Sequence, residues 1–339
     1  MPSPDLVLLG NLLVDDLVFP EGQTRMGQPG GAMLYASLGC CLWGTRAGCV
    51  SLRGDDYPET ALAQLANRGV LLDGVTPLHR PGVRTWLLYE GRMRRVVHRL
   101  GSPSHEAVSP GADHVPAAWR SARAFHLAPM PVAIQEQLVQ ALRAGPGAAQ
   151  AEARSGALTE AHGEQRNGHA ETPGGAQSAG GALISVDPHE PITETTLPRW
   201  RELLAHADAF FPSEDELRLD DAQTNPRAAL RRLASGRLRF IAYKRGLKGG
   251  LLYDARENRF HEWTARTHGV VDPTGAGDAF AAGFLGAHLA GRSVTEALQR
   301  AVVGASFAIE AWGPAGLLEA TAAGAEARLE DWFGREATT

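Results

Sequence analysis

The chain has 339 residues, of which 44% are hydrophobic and 21% are charged, and its formal net charge is −5. Lysine and arginine are scattered, which argues against nucleic acid or an anionic membrane as a partner, and no apolar run reaches the roughly 18 residues of a membrane span. The three cysteines, two of them adjacent, favour neither a disulfide framework nor a paired-cysteine metal site. The acidic amino terminus is unlike a secretory signal, so we expect a cytoplasmic location.

Short apolar runs alternate with segments of helical periodicity along most of the chain. In chain order the pattern predicts a strand at 6–9, a helix at 31–43, a strand at 47–51, a helix at 59–67, a strand at 124–127, a helix at 132–143, a strand at 183–186, a helix at 200–206, a strand at 209–211, a helix at 226–234, a strand at 240–243 and helices at 276–289 and 294–311. Such alternation predicts an α/β fold with a doubly wound, mostly parallel sheet and helices on both faces.

Two segments interrupt this alternation. Residues 85–89 and 94–100 have the pattern of two strands joined by a short turn, and 12–19 is a candidate third strand beside them. We therefore predict a small antiparallel lid from about 12–29 and 83–101. Its arginines either face the cleft and favour an anionic acceptor, or they charge the edge strands against aggregation; they are Arg84, Arg92, Arg94, Arg95 and Arg99.

Residues 145–182 differ in composition from the rest of the chain. They are mostly Gly, Ala, Glu, Gln, Ser and Thr, and Leu158 is their only large aliphatic residue. Such a segment buries too little apolar area to offset the entropy of ordering it. We interpret it as a flexible insertion, with a domain linker as the alternative. Without it, the length fits a single domain with its lid, so we assign residues 1–339 to one domain.

The strongest chemical signal is the run DPTGAGDAF at residues 272–280, which leads into an apolar helix. Small residues before a helix leave its first N–H groups pointing at one spot, which suits an anion. Asp278 in the first turn could accept the proton of an attacking hydroxyl. The alternative is an ordinary helix start capped by Thr274. No P-loop occurs, and Phe280 stands where a dinucleotide fingerprint needs its third glycine.

The longer run DPTGAGDAFAAGF closely resembles the carboxyl-terminal signature of the PfkB (ribokinase-like) carbohydrate kinases. Further stretches resemble other family segments and follow the family's order; they are 10–15 (GNLLVD), 30–44, 51–56 (SLRGDD), 212–217 (PSEDEL) and 244–249 (KRGLKG). The resemblance covers almost the whole chain outside 145–182. It implies a ribokinase-like fold and a kinase that transfers the γ-phosphoryl group of ATP, with Mg²⁺, to a hydroxyl of a small sugar-like alcohol.

The resemblance also implies roles for individual residues. Asp278 would be the general base, and an anion hole would be formed by Gly275, Ala276 and Gly277. The small-molecule acceptor would meet Asp15, Gly30, Gly31 and Tyr35, and ATP would meet Lys244, Gly246, Gly249 and Thr274. Glu216 would hold Mg²⁺ through water, and Asp272 matches a position that offers oxygen to a monovalent cation such as K⁺ in some members. Dimerisation through the lid is a further expectation from the family.

Departures from the family pattern bear on the acceptor. Residues 32–35 (AMLY) replace a segment whose Asn usually grips a sugar, and Ser213 replaces the usual Asn before Glu216. The first change argues against ribose and fructose and, unless these side chains simply pack in the core, favours an aromatic-lined pocket for a nucleoside or a cyclic polyol such as inositol. Three readings stay open beside this one: Asp15 and Asp16 as a solvated pair, Glu216 as dipole compensation at a helix start, and Lys244 as a surface charge.

The alternatives at the level of function are a catalytically silent sugar- or nucleotide-binding protein, and a kinase for an anionic sugar. A kinase for a vitamin-like heterocycle is less compatible, because related kinases of that type usually lack the glycine pair and the lid.

Overall fold

The computed structural model describes residues 3–90, 93–145 and 181–334. Its strands are β1 Leu6–Leu9, β2 Leu13–Val18, β3 Thr24–Gly30, β4 Ala47–Arg53, β5 Leu71–Pro77, β6 Arg84–Glu90, β7 Met93–His98, β8 Ala124–Leu127, β9 Leu183–Val186, β10 Ile192–Thr193, β11 Ala209–Phe210, β12 Leu217–Arg218, β13 Phe240–Lys244, β14 Gly250–Asp254 and β15 Arg259–Trp263. Its helices are α1 Ala32–Cys41, α2 Glu59–Asn67, α3 His105–Val108, α4 Val132–Ala144, α5 Leu197–Leu204, α6 Pro226–Leu233, α7 Ala276–Leu289, α8 Val294–Ile309, α9 Ala315–Glu319 and α10 Ala322–Phe333.

Within the described residues, nine strands form one sheet in the order β15-β14-β13-β11-β9-β8-β1-β4-β5. The pairs from β13 to β5 are parallel, whereas β14 and β15 add an antiparallel edge. The chain starts in the middle and builds outward in both directions, as doubly wound sheets do. Ligands in such sheets lie beyond the carboxyl ends of the parallel strands, so β1, β9 and β13 point their ends at one region.

The main sheet is buried on both faces. Alternate residues of β1 enter separate cores: Leu6 and Leu8 pack with α1, α7 and α8, while Val7 and Leu9 pack with α4, α5 and α6. The helix α8 begins at a capping box in which Ser293 and Glu296 exchange side-chain-to-backbone hydrogen bonds. The predicted α/β fold class is confirmed by this two-layer covering of a mostly parallel sheet.

A second sheet has the order β3-β2-β6-β7 and is called the small sheet below. Its outer pairs, β2 with β3 and β6 with β7, are antiparallel, and β2 pairs with β6 in parallel. The strands predicted at 12–19, 85–89 and 94–100 all belong to it. Residues 146–180, which include most of the predicted insertion, lie outside the described residues.

Among the helices that the structure describes, none has the length and apolar character of a membrane span.

Candidate active site

The helix α7 begins at the glycine turn predicted to bind an anion. Gly275 is its N-cap with φ of 77°, a left-handed conformation that favours glycine, and no side chain caps the helix. The alternative in which Thr274 caps the helix is therefore wrong. Within the described part of the chain, the N-cap thus supplies no side-chain acceptor to the first N–H groups of α7, which is compatible with the predicted anion hole.

Close packing of α1 against α7 brings Tyr35 onto this turn. A Cβ atom on Gly39 of α1 would lie 2.7 Å from the backbone of Ala279, so the two helices approach closely. A Cβ atom on Gly275 would lie 2.1 Å from the ring of Tyr35. The sequence alternative of core packing is confirmed for Met33 and Leu34, which are buried in the core. Tyr35 is buried as well, and its ring forms one wall of the glycine turn.

Several of the predicted site residues act electrostatically on the hydroxyl of Tyr35. Burial raises the pKa of its phenol well above the usual range, and the charges of Asp272, Asp15 and Asp278 raise it further. These three carboxylates therefore lie within electrostatic range of one hydroxyl. The predicted acceptor residue Asp15 and the predicted base Asp278 thus both act on the hydroxyl of Tyr35.

A buried ion pair lies on the other side of the glycine turn. The Lys244 Nζ atom, at the end of β13, lies 2.8 Å and 3.0 Å from the two carboxylate oxygens of Asp187, directly after β9. A Cβ atom on Gly277 would lie 3.1 Å from the same Nζ atom. The sequence alternative in which Lys244 is a surface charge is wrong, because the ammonium lies beneath the anion turn.

Three carboxyl groups act on the charge of the Lys244 ammonium, and one of them, Asp187, is hydrogen-bonded to it. Burial alone lowers the pKa of Lys244, but Asp187 and, to a smaller extent, Glu216 and Asp278 outweigh it, so that the pKa is raised. Burial raises the pKa of Asp187, and the charges of Glu216 and Asp278 add to that effect. The charges of these three carboxyl groups therefore act on one buried ammonium beside the start of α7.

Glu216 lies in a turn and not at a helix start. Its Oε2 atom accepts a hydrogen bond of 2.7 Å from the backbone N–H of Ser213, and the chain continues into the two-residue strand β12. The alternative of dipole compensation at a helix start is therefore wrong. The turn follows β11 and holds one carboxylate oxygen, and the charge of the carboxylate acts on Lys244.

The turn between β13 and β14 carries the two glycines predicted to meet ATP. Gly246 has φ of 54° and no atom within 4 Å of an added Cβ, so its flank is open to a ligand. At Gly249, φ is 78° and an added Cβ would lie 2.0 Å from the carbonyl oxygen of Trp263. Gly246 therefore offers access to phosphates, whereas Gly249 allows the hairpin to fold.

On the acceptor side, Asp15 is buried between two strands of the small sheet. Its Oδ1 atom accepts a short hydrogen bond from the hydroxyl of Thr85 on β6. A Cβ atom on Gly30 would lie 1.9 Å from Oδ2, so only glycine leaves room for the carboxylate. The next glycine, Gly31, caps α1 with φ of 92° and lies against the carbonyl of Asn11. The solvated-pair alternative for Asp15 is wrong.

The neighbouring acid points to the opposite face of the small sheet. Asp16 is 1% exposed, and its carboxylate bonds the Arg84 guanidinium at 2.6 Å and 2.7 Å and the N–H of Gly27 at 2.7 Å. Although burial opposes ionisation, Arg84 and Gly27 lower the pKa of Asp16 below its ordinary value. Arg95 similarly pairs with Glu90 at 3.3 Å. These two arginines give no support to an anionic acceptor, because their charges are matched outside the cleft.

Asp272 cross-links three segments around the anion turn. Its Oδ1 atom accepts hydrogen bonds from the hydroxyl of Tyr89 at 2.7 Å and from the N–H of Thr274 at 2.9 Å. Its Oδ2 atom accepts one from the N–H of Gly313 at 3.0 Å. The carboxylate that was predicted to meet a monovalent cation is thus held by protein donors.

Sequence reasoning missed Thr85, Asp187, Tyr89 and Gly313. For Asp187 a signal existed, because an acid directly after a buried parallel strand lies at the ligand-binding edge of the sheet. The other three are placed by contacts with residues that are distant in sequence, and no local pattern marks them.

Comparisons with known proteins agree with this geometry. Residues 175–321 match the model of the pfkB family carbohydrate kinases. The chain is 27% identical over 318 residues to a cytidine kinase of Thermococcus kodakarensis. The alignment covers 91% of this chain and 97% of that protein.

Solved structures share the fold. A candidate ribokinase II of E. coli in complex with ATP and Mg²⁺ has a TM-score of 0.68 at 20% identity, covering 97% of this chain and 100% of that one. A nucleoside kinase of Burkholderia thailandensis in complex with inosine has a TM-score of 0.66 at 18% identity, covering 97% and 98%. The predicted ribokinase-like fold is confirmed, while dimerisation and a cytoplasmic location stay predictions.

Proposed function

Because the chain is a phosphotransferase of the PfkB carbohydrate kinase family, we propose that it transfers the γ-phosphoryl group of ATP to a hydroxyl of a nucleoside. The observation that carries the proposal is the convergence of Asp15, Tyr35 and Asp278 beside the open amide groups at the start of α7. One end of this cleft suits a polyhydroxylated acceptor and the other suits a phosphate. The family alone leaves the acceptor at the level of a sugar or a nucleoside.

Aromatic side chains near the cleft favour a nucleoside. Tyr89 contacts both Phe19 and Trp312 at the end of the small sheet, and these three rings are only half-buried. A nucleobase offers a flat surface to such rings, whereas a hexose or an inositol does not. The relationship to a cytidine kinase along nearly the whole of that protein supports the same choice.

In the proposed reaction the acceptor sugar lies against Asp15, with its reacting hydroxyl toward Asp278. Asp278 accepts the proton of that hydroxyl as the oxygen attacks the γ-phosphorus. The N–H groups of Gly275, Ala276 and Gly277 stabilise the charge that develops on the transferring group. The small sheet acts as a lid over the acceptor and excludes water, which would otherwise compete for the phosphoryl group.

The nucleotide would follow the turn between β13 and β14. Gly246 leaves room for phosphates, and the Lys244 ammonium lies beneath the amides that meet them. A groove of about 330 Å³ adjoins this turn through Trp263 and Thr264 and extends along α8 at Gln299 and Val302. Its volume is in the lower range of small-ligand sites, and we assign it to the base of ATP.

The residues around Lys244 fit Mg²⁺. The donors available among the described residues are carboxylate oxygens, which this ion prefers, and the charges of Asp187, Glu216 and Asp278 all act on the Lys244 ammonium. No three carboxylates, histidines or cysteines of the described ranges are close enough together to hold a metal ion, so Asp187 and Glu216 would hold Mg²⁺ through water and phosphate oxygens. The ion supplies positive charge that shields the phosphates during attack.

Use of a monovalent cation such as K⁺ stays a prediction. The Asp272 carboxylate already accepts hydrogen bonds from Tyr89, Thr274 and Gly313, so a cation there would share its oxygens with these donors.

The proposal is tested by measuring ATP consumption over cytidine, uridine, inosine, adenosine, ribose, hexoses, inositols and sugar acids. We expect turnover with a nucleoside, and a fall in kcat of about 100- to 10,000-fold in Asp278→Asn while ATP still binds. Asp73→Asn, at an exposed position on β5, is the matched control and should retain full activity. Near-normal turnover by Asp278→Asn would contradict the base assignment, and turnover restricted to hexoses, inositols or sugar acids would contradict the nucleoside.

A further inference from the structure

The small sheet contacts the anion turn through the side chain of Tyr89. Tyr89 lies on β6, four residues after Thr85, and both side chains point to the cleft side of the sheet. Its hydroxyl donates to Asp272 Oδ1 at 2.7 Å and lies 3.4 Å from the Thr274 hydroxyl oxygen. The strand whose Thr85 contacts the acceptor carboxylate thus also reaches the loop that carries the anion hole.

Asp272 passes this contact on to the backbone of the turn. Its carboxylate is 1% exposed and accepts the N–H of Thr274, the residue before the left-handed Gly275. A buried carboxylate is stable only while its oxygens are paired. Removal of the Tyr89 hydroxyl leaves Oδ1 with one fewer of these donors, so the carboxylate and the Thr274 amide are free to shift together.

The ring of Tyr89 is held independently of its hydroxyl. It stacks on Phe19 with a centroid distance of 5.6 Å and meets Trp312 edge-on at 5.5 Å. Phe19 and Trp312 also contact each other at 4.4 Å. Because two other rings hold the phenyl group, a change of Tyr89 to Phe removes the hydroxyl and leaves the packing in place.

We propose that Tyr89 is a positioning residue that makes correct alignment of the anion hole depend on the small sheet lying over the acceptor. With the sheet in place, the hydroxyl fixes Asp272, Asp272 fixes the Thr274 amide, and the turn aims the amides of 275–277 at the transferring phosphoryl group. With the sheet lifted, this support is lost and transfer of the phosphoryl group to water is slowed. The inference rests on the proposed kinase function and adds a coupling between the acceptor side and the phosphoryl side of the site.

The decisive variant is Tyr89→Phe, compared with Tyr253→Phe. Tyr253 on β14 donates to Asn258 Oδ1 at 3.0 Å and supplies the same chemical change away from the cleft. We expect Tyr89→Phe to lower kcat per folded molecule by roughly 10- to 100-fold, with the KM of the acceptor changed less than about twofold. Tyr253→Phe should keep kcat. A merely structural role would lower the melting temperature and leave kcat per folded molecule unchanged.

A second measurement does not depend on turnover. Amide hydrogen exchange at Thr274 and Gly313 should speed up in Tyr89→Phe and stay at the wild-type rate in Tyr253→Phe, because both amides donate to the carboxylate that Tyr89 holds. Unchanged kcat together with unchanged exchange would overturn the inference. A wild-type protein that phosphorylates no acceptor would refute the proposed function, and unchanged exchange would then refute the Tyr89 contact separately.

Discussion

The contact between Gly275 and Tyr35 gives a sharp test of how tightly the anion turn is built. In Gly275→Ala the new Cβ atom would lie 2.1 Å from the aromatic ring, whereas carbon atoms in contact are separated by about 3.5–4.0 Å. The ring or the turn must therefore move by more than about 1 Å. Because Tyr35 is buried among packed helices, we expect the turn to move, and a displacement of this size at reacting groups costs about 100-fold in kcat/KM.

The backbone contributes a separate penalty that a control isolates. A φ of 77° at a residue with a Cβ atom costs about 1–2 kcal/mol. Gly291 has φ of 79° and no atom within 4 Å of an added Cβ, so Gly291→Ala imposes the same strain without the clash. In urea titrations Gly291→Ala should lose about 1–2 kcal/mol of unfolding free energy. Gly275→Ala should lose more than this, because the clash with the Tyr35 ring adds to the same backbone strain.

Steady-state kinetics and urea unfolding together decide between the two effects. We expect kcat/KM to fall about 100-fold in Gly275→Ala and to stay within twofold of wild type in Gly291→Ala. In a double-mutant cycle, Gly275→Ala should cost less stability in the Tyr35→Ala background than in the wild type, because the clashing ring is gone. Equal kinetics and equal stability in the two single variants would refute the view that the ring and the turn are in contact.

Two further predictions concern the acceptor side and the core. Thr85→Val removes the hydroxyl that donates to Asp15. Since hydrogen bonds to charged groups contribute about 1.5–3 kcal/mol, the KM of the acceptor should rise about tenfold or more. The control Thr76→Val, at an exposed site, should have no effect, and an unchanged KM in Thr85→Val would contradict the role of Thr85. Burial lowers the pKa of His126, whose ring nitrogen is hydrogen-bonded to the Ser185 hydroxyl, to about 3 in the folded protein. As the pH falls below about 6.5, this histidine is therefore protonated in the unfolded chain but not in the folded one. The unfolding free energy should decrease by about 1 kcal/mol per pH unit between pH 6 and pH 5. His126→Phe should lose that part of the slope in urea titrations followed against pH, and parallel slopes would contradict it.

Local pattern was sufficient for the framework of the fold. The strands 6–9, 124–127 and 183–186 and the helices 59–67 and 276–289 have the predicted bounds, because their apolar runs end at Gly, Pro or polar residues. The sequence pattern did not predict β5, β14 or β15. Strands β14 and β15 form a partly polar hairpin at the edge of the sheet, so hydrophobic periodicity is weak there.

The site was predictable where a motif is contiguous. The glycine turn and Asp278 follow one another in sequence, and the helix that they begin has the predicted bounds. In contrast, the Asp15–Thr85 contact joins residues 70 positions apart, and the Tyr89–Asp272 contact joins residues 183 positions apart. Such pairs depend on strand register and on the packing of two sheets, which no short window of sequence contains.

The adjacent acids of β2 also bear on how the small sheet finds its alignment during folding. Side chains alternate across a strand, so sliding β2 by one residue against β6 would exchange Asp15 and Asp16 between the two faces. Asp15 would then lose the Thr85 hydroxyl, and the buried Asp16 would lose the Arg84 guanidinium that pairs its charge. The bulge between β2 and β3 near Asp15 fixes the same alignment from the other edge. The pair of acids therefore disfavours a misaligned small sheet. Asp16, which does not face the cleft, thus helps to keep Asp15 on the cleft side.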